Sequence, residues 1–144
     1  MKKCRANFNT TYESGEITAV SYDENGREIN RYSLQTAGKE TALQVRPEEK
    51  KVKQEGLAFI QLQYTDSKGI WKPMEKHNIK VTVENGVLKG LGSPAPYVKG
   101  NYTDHTVATY YGEAMAVVQA DGNGPVKVTV ADEERFYVVE IPCE

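Results

Sequence analysis

Two histidines, two cysteines and one tryptophan stand among 144 residues, and each scarcity closes off a class of chemistry. His77 and His105 fall in no HxH or HExxH spacing, so no metal site is expected. Cys4 and Cys143 lie near opposite ends, and neither belongs to a Cys-x-x-Cys pair, which argues against a zinc or redox motif. They read as two thiols, with a disulfide tying the ends together as the alternative. No apolar run approaches the roughly 20 residues that a bilayer-spanning helix needs, so no membrane partner is expected. Met1-Lys2-Lys3-Cys4-Arg5 is charged but is followed by no apolar stretch, and does not read as a secretory signal peptide. The formal net charge is -2, with no Lys/Arg stripe of the kind that nucleic acid requires. No nucleophile elbow, phosphate loop or dinucleotide-binding glycine pattern occurs, so no cofactor is implied.

Helical periodicity is also scarce: no long stretch places apolar residues at three-and-four spacing. What the chain has is alternation. Ile79-Lys80-Val81-Thr82-Val83 and Val126-Lys127-Val128-Thr129-Val130 alternate apolar and polar, which turns one face of a strand to a core and the other to water. The hydrophobic share of 39% is enough for a real core. Turn chemistry punctuates the strands. Asp23-Glu24-Asn25-Gly26 and Asn85-Gly86 read as hairpin turns, because Asn and Gly tolerate positive φ. Asp66-Ser67-Lys68-Gly69 and Asp121-Gly122-Asn123-Gly124-Pro125 are further breaks.

The second part of the chain therefore reads as seven strands, at 57–65, 79–83, 87–91, 106–111, 113–120, 126–131 and 135–141. That is the count of an immunoglobulin-like β-sandwich, here without the Cys–Trp–Cys set of antibody domains. Its expected core includes Ile60, Leu62, Ile79, Val81, Val83, Val126, Val128, Val130, Val139 and Ile141. The first part offers four strands, at 5–9, 16–22, 28–35 and 41–46, too few to bury both faces of a sheet. The charged segment 47–56 lies between Pro47 and Gly56 and suits a linker, with Lys50, Lys51 and Lys53 beside Glu48, Glu49 and Glu55 as a solvated face. The fold class expected is all-β: an immunoglobulin-like sandwich over 57–144, preceded by a partial immunoglobulin-like sheet segment over 1–46.

No catalytic residue emerges. The chain has 20 Asp and Glu, so carboxylate pairs are easily found and carry little weight. Asp104, Glu113, Asp121 and Asp132-Glu133-Glu134 fall in or near loops, outside the apolar settings that raise a carboxyl pKa for acid catalysis. Aromatic side chains are the candidate binding groups, because the C–H face of a sugar packs on an aromatic ring. Trp71, Tyr97 and Tyr102 are the candidate carbohydrate-binding residues. Packing of the long loop by Tyr97 and Tyr102, and of a sheet end by Trp71, is the alternative. Asn9-Thr10-Thr11 and Asn101-Tyr102-Thr103 match the glycosylation sequon, a pattern that also arises by chance.

Several stretches resemble one family. Tyr12-Glu13-Ser14-Gly15-Glu16-Ile17-Thr18-Ala19-Val20-Ser21-Tyr22, then Asn25-Gly26-Arg27-Glu28 and Leu34-Gln35-Thr36-Ala37-Gly38, resemble the segment after the catalytic barrel of bacterial family 2 β-galactosidases. Ser14 stands where many of those enzymes have Pro. Leu57-Ala58-Phe59-Ile60-Gln61-Leu62-Gln63-Tyr64-Thr65-Asp66 resembles the opening strand of their last immunoglobulin-like domain. Gly90-Leu91-Gly92-Ser93-Pro94-Ala95-Pro96, Asn101-Tyr102 and Gly112-Glu113-Ala114-Met115-Ala116-Val117-Val118 resemble its middle. The resemblance covers nearly the whole chain. It implies a non-catalytic accessory domain whose partner is the catalytic barrel of a parent enzyme that hydrolyses terminal β-galactosides. It also implies strands preceding 5–9, so that the first segment is incomplete and a homodimer through it is expected. No position matches the family's catalytic glutamates. Two other readings stand beside this one: a carbohydrate-binding module, and an immunoglobulin-like spacer of a bacterial surface adhesin.

Overall fold

The computed structural model describes residues 5–97 and 100–144. Cys4 lies outside them, and with it the question of its pairing with Cys143. The chain forms two compact units, Met1–Thr36 and Ala37–Glu144.

The first unit is a hairpin of β1 (Glu16–Tyr22) and β2 (Glu28–Gln35). Its turn has a local cause. One carboxylate oxygen of Asp23 accepts the N–H groups of Asn25 and Arg27, each at 2.8 Å, and Gly26 supplies φ of 76°. Cross-strand pairing places Ile17 opposite Leu34 and Ala19 opposite Tyr32 on one face. The other face is polar: the Thr18 and Ser33 hydroxyls lie 2.7 Å apart, and Gln35 donates to Glu16 at 2.8 Å. No strand forms over residues 6–9, contrary to expectation. Asn7 and Asn9 disfavour extended pairing, and the alternation there is too short to offset them.

The second unit is a sandwich of two four-stranded antiparallel sheets. One runs in the order β3 (Ala42–Pro47), β4 (Leu57–Thr65), β8 (Glu113–Ala120), β6 (Gly86–Gly92). The other runs β10 (Phe136–Ile141), β9 (Val126–Ala131), β5 (Asn78–Glu84), β7 (Thr106–Ala108). With β3 as the first strand, these orders match the A-B-E-D and G-F-C sheets of an immunoglobulin fold, β7 being an extra edge.

Two expectations change here. The strand expected at 41–46 was grouped with the preceding segment, but β3 pairs with β4 from Ala42↔Thr65 to Pro47↔Ile60 and buries Leu43. The division between units therefore falls after Thr36 rather than after residue 46. The segment 47–56 is likewise part of the sandwich. Val52 is only 6% exposed. Its N–H donates to the Pro142 carbonyl, and its own carbonyl accepts from Glu144, both at 2.9 Å. Glu48 N–H meanwhile donates to Phe59 of the other sheet. A single apolar side chain in a run of charges carries this strap from one sheet to the other, too weak a sequence signal to separate it from a linker.

The turn expectations divide in the same way. Asn85 adopts φ of 57°, yet Asn85-Gly86 joins no hairpin, because β5 and β6 lie in different sheets. The strand expected over 106–111 stops at Ala108. Tyr110 and Glu113 then exchange both backbone hydrogen bonds, each 3.1 Å, around Tyr111 at φ 52° and Gly112 at φ 70°. That is the geometry of a tight two-residue hairpin turn. The core follows the alternation closely. Ile60, Leu62, Ile79, Val81, Val126, Val128, Val130 and Ile141 are buried, and Val83 and Val139 pack against them partly buried.

Candidate functional site

One end of the sandwich, where β4 finishes and β8 begins, holds a group of polar side chains between the sheets. The Tyr64 hydroxyl donates to Asp132 at 3.0 Å, and its ring lies 4.4 Å, centroid to centroid, from that of His77. His77 Nε2 is 3.0 Å from one oxygen of Glu75; the other oxygen takes hydrogen bonds from Lys72 and Thr41, each at 3.0 Å. Lys72 Nζ also reaches the carbonyls of Lys39 and Glu40. The hydrogen bond from His77, joined by those of Lys72 and Thr41, outweighs desolvation and holds the Glu75 carboxyl at about 2. Burial, then the Asp132 carboxylate, pushes the Tyr64 hydroxyl well above its ordinary value. Asp132, expected in a loop outside any apolar setting, is half-buried. Burial is outweighed by the N–H groups of Glu134 and Arg135 and by the Tyr64 hydroxyl, and its pKa falls. Asp66 is buried and accepts N–H groups from Gly38, Lys68 and Ile70 at 2.7–2.9 Å. The carboxylate oxygens of Glu75, Asp66 and Asp132 and the Tyr64 hydroxyl are all bonded within the fold, so the arrangement pins loops to one another. The Thr-Ala-Gly motif falls where the units meet in sequence. Thr36 closes the hairpin, its N–H donating to Gly15 at 2.8 Å, and Gly38 caps Asp66.

The three candidate sugar-binding aromatics do not converge. Trp71, 44% exposed, donates through Nε1 to the Tyr111 carbonyl at 2.9 Å. It packs beside the tight turn, where a Cβ on Gly112 would stand 2.5 Å from the Lys72 carbonyl oxygen. Tyr97 is 91% exposed. Tyr102, 61% exposed, borders a concavity of about 600 Å³ on the outer face of the β4–β8–β6 sheet. Neither Trp71 nor Tyr97 lines it.

The concavity is built from strand register. Side chains alternating away from the core on β4 and β8 form its floor: Gln61 beside Met115, and Gln63 beside Glu113. On β6 the outward positions opposite Val117 and Met115 are Gly90 and Gly92, so the floor lacks side chains there. The Tyr102 ring occupies part of that space. A Cβ on Gly92 would lie 2.9 Å from its Cδ1 and Cε1, and the Tyr102 carbonyl accepts the Leu91 N–H at 2.7 Å. The loop thus covers part of the β6 edge and stands the ring up as a wall. Gln63 is held at both ends of its amide, accepting from Arg46 at 3.0 Å and donating to Glu113 at 2.7 Å. Gln61 donates to Glu48 at 3.1 Å. The sequence drew attention to Tyr102. It named Glu113, Gly90 and Gly92 only separately and gave no cue to Gln61 and Gln63, and the sheet register is what brings them to one face.

Comparison with known proteins covers the sandwich and extends through the hairpin. Residues 42–135 match the family model described as glycoside hydrolase family 2 C-terminal domain 5. The chain is 27% identical over 138 residues to the β-galactosidase BoGH2A of Bacteroides ovatus, a match covering 92% of this chain and 16% of that protein. Among solved structures, a glycosyl hydrolase family 2 member from Bacteroides cellulosilyticus superposes with a TM-score of 0.87 at 23% identity, over 94% of this chain and 18% of its own. A β-glycosidase from Bacteroides vulgatus gives 0.79 at 19% identity, over 91% and 18%. The chain thus spans about a sixth of the length of the relatives it matches.

Proposed function

Since the chain belongs to the family of glycoside hydrolase family 2 C-terminal domains, type 5, we propose that it is the non-catalytic C-terminal module of an enzyme that hydrolyses terminal β-galactosides. The observation that carries this is the alignment of nearly the whole chain with about a sixth of a β-galactosidase. The module's task is structural: to pack on the catalytic barrel of the parent and shape the approach to it. The hairpin of β1 and β2 is the closing part of a preceding immunoglobulin-like domain, and its apolar face is one that the parent covers.

The test compares three proteins on a nitrophenyl β-galactoside: this chain, the polypeptide of its full reading frame, and that polypeptide without residues 37–144. The isolated chain should show no turnover. The full polypeptide should turn over the galactoside, and the deletion should melt earlier or raise KM. Turnover by the isolated chain, abolished by a carboxylate substitution within it, overturns the non-catalytic reading. A full polypeptide that cleaves a nitrophenyl glucuronide but not the galactoside overturns the substrate class.

A further inference from the structure

We propose that the concavity on the outer face of β4, β8 and β6 is a binding site for a neutral saccharide, with Tyr102 as its stacking wall. This goes beyond the structural role and does not depend on which glycoside the parent cleaves.

Three features of the site point to this occupant. Its volume of about 600 Å³ lies within the roughly 300–1,000 Å³ of small-molecule sites. The Tyr102 ring stands over Gly92 beside a floor that Gly90 leaves without a side chain, so a flat ring can lie against backbone and ring together. A pyranose offers such a face, because its axial C–H groups are apolar while its hydroxyls radiate around the rim. The hydroxyl partners are present and already oriented. Gln63 is fixed between Arg46 and Glu113, Gln61 is fixed by Glu48, and the second oxygen of Glu113 remains to accept a hydroxyl. Side chains held in place before binding lose little entropy on it.

The charge of the lining narrows the class. Among the described residues that border the concavity, Glu113 is the one carboxylate, and none is Lys or Arg. A uronic acid or a phosphate would meet the Glu113 carboxylate, while the Arg46 guanidinium lies outside the lining and is engaged by Gln63. A neutral hexose meets acceptors and amides. A purely hydrophobic peptide fits less well, because it would strip water from two amides and a carboxylate without replacing their hydrogen bonds.

The experiment is a set of amide NMR titrations of the full 144-residue chain with galactose, lactose, cellotetraose and glucuronate. One or more of the neutral sugars should shift amides of residues 90–93, 102 and 113–117, with a dissociation constant on the order of 1 mM. Glucuronate should shift none. Tyr102→Ala should weaken binding about tenfold or more, and Tyr102→Phe should keep it within about twofold, since the ring rather than the hydroxyl does the stacking. Gly92→Ala tests the geometry without touching the ligand: the new methyl displaces the Tyr102 ring and should weaken binding while the sandwich stays folded. Trp71→Ala should leave binding unchanged. The proposal is overturned if none of the neutral sugars shifts these amides, or if Tyr102→Ala binds as before. Shifts that gather at Trp71 and residues 110–111 also overturn it, as does glucuronate bound as well as galactose. Groove amides protected only within the parent polypeptide, with no response to sugar, would assign the surface to a protein contact and sink the idea.

Discussion

The hairpin of residues 16–35 and the sandwich of residues 37–144 use the same alternation and reach different ends. Ile17 and Leu34 face each other across β1 and β2 as directly as Val128 and Val139 do across β9 and β10. Yet Ile17 and Leu34 are 58% and 57% exposed, while Val128 is fully buried. Alternation decides which side chains share a face. Whether that face becomes a core depends on a second layer, which the sandwich has and the hairpin lacks. Burial at about 25 cal/mol per Å² is realised in the second unit alone. A two-stranded ribbon by itself is marginal in water.

The largest effect expected from this contrast is on truncation. A chain of residues 37–144 should keep the thermal transition of the full protein, since the hairpin adds little to the core. A chain of residues 52–144 loses β3, exposes the edge of β4 and removes Leu43 and Val45 from the core. It should show no cooperative melt by circular dichroism. If 52–144 melts like 37–144, β3 is an ornament on the sandwich and the division after Thr36 has no energetic meaning.

A second comparison sets matched side chains in the two units against each other. Val128→Ala should cost about 1–3 kcal/mol in chemical denaturation, from lost transfer energy and an unfilled cavity. Leu34→Ala should shift the same transition by no more than about 0.5 kcal/mol. Val128→Thr should also destabilise, because its hydroxyl would be buried without a partner. A Leu34→Ala cost equal to that of Val128→Ala would mean the hairpin folds with the sandwich as one cooperative unit.

The same contrast explains what could be read from the sequence. Strict alternation at 79–83 and 126–130 revealed both strands and both faces, because burial there follows period two without exception. The strap at 48–54 escaped, because one buried residue, Val52, sits among charged neighbours that stay in water. The hand-over at Asn85-Gly86 was legible as a turn but not as a change of sheet, since the same φ serves a hairpin and a crossing. The concavity was legible only through Tyr102. Its floor is made by register between strands far apart in sequence, with Gln63 opposite Glu113 and Gly92 opposite Met115. No spacing within one strand encodes such a meeting. Asp66 and Asp132 looked like turn residues, and they are; their second role as acceptors, buried for Asp66 and half-buried for Asp132, depends on Gly38 and Tyr64 arriving from elsewhere.

The polar end of the sandwich makes a smaller, pH-dependent prediction. Glu75 titrates at about 2 in the folded protein against an ordinary 4.5. A carboxyl depressed by folding stabilises the fold above its unfolded pKa, and the contribution is lost as pH falls from 4.5 toward 2. Asp66 and Asp132 are lowered too and act in the same direction. Denaturation midpoints should therefore drop between pH 5 and pH 2.5, and by less in Glu75→Gln, which has no proton to gain. In the hairpin Glu16 is lowered by its hydrogen bond from Gln35 and Glu28 by that from Arg31, but both are exposed and screened by water, so truncation of the hairpin should change this pH profile little. Equal drops in wild type and Glu75→Gln would remove Glu75 from the account.

The smallest effect expected is on association, and it tests what the hairpin face does when nothing covers it. Ile17, Ala19, Tyr32 and Leu34 form one apolar patch. At a few hundred Å² per chain, burying the patch on both copies would yield on the order of 10–20 kcal/mol. Bringing two chains together costs about 4–15 kcal/mol in lost translation and rotation. The two are of similar size, which leaves room for weak self-association. A two-fold pairing is the simplest arrangement, because it buries the same patch on both copies. Light scattering of the full chain should show a mass that rises with concentration, while 37–144 stays monomeric. Ile17→Lys should abolish the rise, because pairing would bury the ammonium against apolar side chains. A full chain that stays monomeric at every concentration would show that the patch is too small to act on a second copy, and would leave its cover to the parent enzyme. Association that persists in 37–144 would place the contact on the sandwich and reverse the comparison between the two units.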